Sequence, residues 1–67
     1  MAQEASAYEL AEAWQLDQEI EQTVRLLQVW ETQAQLHRDT AFGEIVNTVA
    51  SGYAIQLQHL RQARASV

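Results

Sequence analysis

Residues 37–44 read "HRDTAFGE", between two long stretches of helical character. Whether this octet is a turn or the middle of one rod decides the fold. His37 and Arg38 suit the end of a helix, where cations meet the carbonyl pole. Asp39 or Thr40 suits the cap of a following helix, and Glu44 then falls in its first turns. Against a turn stand the lack of any Pro, the position of Gly43 just after the cap, and the shortness of the link. Helix–helix connections of about 2–8 residues are usual in bundles, so shortness is acceptable.

The charges outside the octet are an independent test. Residues 1–21 hold six acids and no base, whereas residues 45–67 hold Arg61 and Arg64 and no acid. Folding the chain antiparallel about residue 40 or 41 brings Arg61 near Glu21 and Arg64 near Asp17. We therefore expect an all-α antiparallel two-helix hairpin, with helix 1 over about 7–38, a turn at about 39–41 and helix 2 over about 41–65. The competing architecture is one continuous helix of about 60 residues in a coiled-coil assembly, because the helical pattern is long and lacks strong stops.

Helix 1 has a start signal, since Ser6-Ala-Tyr-Glu9 matches a capping box. Glu9 and Glu12 lie where the helix dipole favours acids. Its main apolar stripe is Ala13, Leu16, Ile20, Val24, Leu27, Trp30 and Ala34, at steps of three and four that share one face. In a heptad frame Ala13, Ile20, Leu27 and Ala34 take the a positions, and Leu16, Thr23, Trp30 and His37 the d positions. Thr23 and His37 interrupt that seam. A second stripe, Leu26, Val29 and Leu36, is bracketed by Gln22 and Gln33, and Val29 and Leu36 lie nearly opposite Leu27. One hairpin partner cannot cover both sides, and a helix apolar on two sides wants two neighbours.

In helix 2, Phe42, Ile45, Val46, Val49, Ala50, Tyr53, Leu57 and Leu60 form one broad stripe, flanked by Thr48, Gly52, Ile55 and His59. Gly inside a helix costs about 1 kcal/mol relative to Ala. Close approach of a neighbouring helix at Gly52 would offset that cost. Helix 1 is the longer helix, so its first turns overhang with Tyr8, Leu10, Ala11 and Trp14. Trp and Tyr are frequent interface anchors. The expected protein-contacting residues are Tyr8, Leu10, Trp14, Leu26, Val29, Trp30, Leu36, Gly52 and Ile55.

Composition narrows the function classes. A chain of 67 residues is a single domain and is marginal alone. With no Cys, disulfides and thiolate metal sites are excluded. The resulting expectation is completion as a four-helix bundle, as a homodimer or by docking on a different protein. The opening "MAQEASAYEL" has neither the basic nor the apolar region of a secretory signal. No apolar run reaches the length of a membrane span. A cytoplasmic location is expected. The net charge is −5 and Lys is absent, which disfavours nucleic acid as a partner.

No catalytic constellation emerges. In an antiparallel hairpin His37 sits at the turn and His59 on the order of 25–30 Å from it, so they cannot share a metal. Ser6, Ser51 and Ser66 lack spaced His–acid partners. Gly43 and Gly52 are isolated and make no phosphate loop. We expect no enzyme activity, no cofactor and no metal.

In length, in lacking a catalytic site, and in a long first helix with a shorter second, the chain resembles the small helical-hairpin co-chaperones of type III secretion needle subunits. No signature residues carry over. That resemblance implies a protein that holds an aggregation-prone helical subunit through exposed apolar stripes. In size and hairpin form the chain is also similar to the plasmid copy-number RNA-binding hairpin dimers. Those need a basic-aromatic face, whereas Arg25, Arg38, Arg61 and Arg64 are spread out and outnumbered. A regulator or antitoxin-like protein, whose acidic helix occludes a basic partner surface, is a further alternative.

Overall fold

A computed structural model describes residues 7–67 as two helices packed along their length. Helix α1 spans Ala7–Leu36 and helix α2 spans Ala41–Ala65. The first half of the octet, residues 37–40, is a turn, its second half opens α2, and the chain is not a single continuous helix. Ser6, expected to cap α1, lies outside the described residues, while Glu9 occupies the first turn.

The bend begins at His37, two residues ahead of Asp39, where the sequence placed it. The last turn of α1 therefore contains no basic residue, and His37 and Arg38 lie beyond it. His37 N–H still donates to the Gln33 carbonyl at 3.1 Å, and its own carbonyl becomes the hub of the turn. Thr40 N–H and Thr40 Oγ1 donate to that carbonyl at 3.0 and 2.8 Å. Thr40 Oγ1 in turn accepts from Gly43 N–H at 3.0 Å. Thr40, in an extended conformation, is thus the N-cap of α2. Asp39 stays exposed, 4.0 Å from Arg38.

Gly43 does not weaken this turn. A Cβ built there would lie 1.8 Å from the His37 carbonyl oxygen and 3.2 Å from Arg38 Cα. These are backbone atoms with no rotamer to yield. The absence of a side chain is what lets the chain reverse in so few residues.

The heptad seam runs the full length of the hairpin. In α1 it passes from Ala13 and Leu16 through Ile20, Thr23, Leu27 and Trp30 to Ala34 and His37. In α2 it passes from Gly43 and Val46 through Ala50, Tyr53 and Leu57 to Leu60 and Arg64. Every one of these residues is buried or half-buried. Thr23, an apparent interruption, is the most deeply buried residue of α1. The contacts of His37 with Gly43 and of Asp17 with Arg64 fix the register at the two ends. Residues whose numbers add to about 80 stand at the same height.

The core is small. Only Val46, Ala50 and Leu57 are buried apolar side chains among the described residues, with Val46 at 1% exposure. The molecule measures 58 × 14 × 13 Å, with a radius of gyration of 16.2 Å. A compact domain of this length has about 11 Å. No helix of the described residues is long and apolar enough to cross a membrane.

Candidate protein interface

The two helices leave two unlike sides. On one side Arg38 of α1 and Asn47 of α2 border the same surface depression, with Ala34 and Glu44. Farther along, Leu27 shares a groove with Ala54, Leu57 and Arg61. Helical geometry at 100° per residue adds Asp17, Glu21, Glu31 and Gln28 of α1 and Ser51 and Gln58 of α2 to this side. This side carries charges of both signs around a largely apolar groove.

The flanks remaining on the other side are different. In α1 they hold Gln22, Leu26, Val29, Gln33 and Leu36, and in α2 Phe42, Ile45, Val49, Gly52 and Gln56. Both rows step by three and four, a second heptad seam beside the first. The edge-to-face contact of His37 with Phe42, ring centroids 5.0 Å apart, joins the rows at the turn. Leu26, Val29, Leu36, Phe42 and Ile45 are all exposed, Leu36 to 70% and Ile45 to 63%. Between residues 22 and 63 every charged residue (Arg25, Glu31, Arg38, Asp39, Glu44 and Arg61) lies off these rows.

Phe42 and Ile45 are the correction that defines this face. The sequence pattern assigns them to the broad stripe of helix 2 that α1 covers. That stripe is wider than one neighbouring helix, so α1 buries Val46 and Ala50 and leaves Phe42 and Ile45 outside. Their three–four spacing with Val49 and Gly52 was the available signal. Trp30, expected as a contact residue, sits half-buried on the seam with α2. Gly52 has no atom within 4 Å of a built Cβ, so no helix of this chain makes the close approach expected there. Ile55 is exposed on the outer side of α2, one step around from Gly52.

At the far end, α1 extends past the last turn of α2. Tyr8, Leu10 and Trp14 are exposed there, Tyr8 to 80% and Trp14 to 66%. Leu10 and Trp14 lie toward the charged side, and Tyr8 continues the apolar flank, separated from Leu26 by Glu12 and Glu19. Of the two expected ion pairs, Arg64 Nε–Asp17 Oδ1 forms at 2.8 Å. Glu21 instead takes Arg25, one turn away on its own helix. Arg61 makes no ion pair among the described residues. These residues also contain no group of three or more His, Asp or Glu side chains arranged to hold a metal. His59 is exposed near the open end and His37 is in the turn.

No family model matches this chain, and neither the curated proteins nor the solved structures compared with it include a significant match.

Proposed function

We propose that this chain is a small, non-enzymatic protein–protein interaction module, a subunit or adaptor of a helical assembly formed with itself or with a different protein. One observation carries the reading. Three buried apolar residues support the hairpin, while ten large apolar side chains of the described residues are exposed. Five of the ten lie on a single flank free of charge. Contiguous exposed apolar surface of this kind marks interaction sites. A single core in a chain this short rarely supplies more than about 3–5 kcal/mol. Burial against another protein adds the missing stability. The lack of Cys suits a reducing, cytoplasmic setting.

The test is a thermal melt followed by circular dichroism over a hundredfold range of chain concentration. Binding of a folded partner copy makes the midpoint rise with concentration. If the partner is a different protein, the chain alone melts broadly at every concentration and sharpens when that protein is added. A sharp, cooperative melt at one temperature throughout would identify a self-sufficient monomer and end this reading.

The overhang favours a second contact, with a different protein. Leu10 and Trp14 lie beyond the reach of α2, beside Glu12 and Asp17. A co-chaperone role would use the apolar residues, and an acidic regulator would use the carboxylates. Binding that weakens steeply with salt supports the regulator, and salt-insensitive binding supports the co-chaperone.

A further inference from the structure

We propose that the chargeless flank of the hairpin is covered by a second copy of the same chain. The two copies stack face to face with their turns at the same end, so that α1 of each lies against α2 of the other. This rests on the interaction-module reading and names the partner.

Area is the first argument. The chain exposes 5423 Å², whereas a compact monomer of this mass exposes about 4,300 Å². Two chains that each removed the difference would bury about 2,200 Å² in all, within the size of obligate homodimer interfaces. Charge is the second. The net charge of −5 is concentrated in residues 1–21, which hold six acids and no base, whereas the rest of the chain holds three acids and four Arg. From residue 22 to residue 63 the rows of this flank carry no charge, so a second copy meets none there.

Register is the third. The apolar segment of α1, Leu26 to Leu36, stands at the same height as that of α2, Phe42 to Gly52. A two-fold axis along the hairpin therefore lays each segment on the other in both halves at once. It also makes every pair of neighbouring helices antiparallel, as in up-and-down four-helix bundles. Reversing one copy with the hairpin ends aligned would bring its Glu12 or Glu19 to the apolar segments of the other, and sliding it to superpose those segments would leave the first half of each α1 unpaired. Gly52 completes the fit. Its surroundings are open within the chain, and Leu26 and Val29 of the second copy arrive at its height.

The chain, with Gly52→Leu, Val29→Glu and Ser51→Glu variants, is to be sized by light scattering and native mass spectrometry across concentration. Wild type is expected at twice the 7.6 kDa chain mass. Ser51→Glu, on the charged side, stays dimeric. Gly52→Leu and Val29→Glu raise the dissociation constant roughly tenfold or more, the scale of an overpacked or charged interface. Because the chain lacks Cys, Leu26→Cys and Gly52→Cys chains mixed together are expected to give the mixed disulfide.

A dimer that withstands both Gly52→Leu and Val29→Glu overturns this face. A mixed disulfide no more abundant than the two self-pairings overturns this alignment. A partly helical chain that never self-associates overturns the second copy while leaving the interaction-module reading intact. A stable folded monomer ends both.

Discussion

Arg64 Nε donates to Asp17 Oδ1 at 2.8 Å, tying the last turn of α2 to α1 across 47 residues of sequence. Both side chains are about half-exposed, so the pair sets register more than it stabilises. Exposed pairs contribute about 0–1 kcal/mol. Asp17→Asn and Arg64→Gln are each expected to lower unfolding free energy in urea by less than about 1 kcal/mol. The coupling from the double-mutant cycle should shrink in high salt.

Gly43→Ala is expected to be far more damaging than any surface change. Its methyl would overlap the His37 carbonyl oxygen, 1.8 Å away. Relief requires opening the turn and breaking the hydrogen bond from Gly43 to Thr40. The cost is about 3 kcal/mol or more, at the upper end of overpacking penalties. Small-angle scattering should report a larger radius of gyration than that of the wild type as the helices separate. An unchanged radius and melt would mean that Gly43 is not needed for the reversal.

Thr40→Ala removes the acceptor for Gly43 N–H and the donor to the His37 carbonyl. Loss of an N-cap costs about 0.5–2 kcal/mol. Thr40→Ser keeps both bonds and should restore most of the stability, as read from urea midpoints. Equal loss in the Ser and Ala variants would point to the methyl group rather than the cap.

The hairpin itself was legible because Asp17 and Arg64 belong to opposite charge blocks, and those blocks survive any uncertainty in the turn. The turn chemistry was less so. Gly43 counts against a helix start by propensity, and only the distance to the His37 carbonyl turns it into a requirement. The division of helix 2 was also hidden. Phe42 and Ile45 share a stripe with Val46 by spacing, and only the line of approach of α1 decides which of them it covers. Arg61 shows the limit of charge-block reasoning: the blocks place it beside Glu21, but a local partner, Arg25, reaches that carboxylate first.

Val46 and Ile45 are neighbours in sequence with opposite surroundings, at 1% and 63% exposure. Val46→Ala should cost about 2 kcal/mol through lost burial and a residual cavity, at every concentration. Ile45→Ala should change the isolated hairpin by no more than about 0.5 kcal/mol. A larger loss at Ile45, growing with chain concentration, is expected once the flank is covered. Melts of both variants at low and high concentration separate the two effects.

Thr23 is 4% exposed on the seam, at the height of Leu57. No fully buried side-chain oxygen or nitrogen among the described residues lacks a hydrogen-bond partner. Thr23→Val keeps the shape and exchanges a hydroxyl for a methyl, so the added apolar burial should stabilise the hairpin by up to about 1 kcal/mol. A polar residue on a seam also restricts which partners and registers that seam accepts. The same variant is therefore expected to broaden the distribution of assembly sizes in native mass spectrometry while raising the melting temperature. A higher melting temperature with one unchanged size would show that Thr23 has no part in specificity. A lower one would show that its hydroxyl stabilises the folded hairpin.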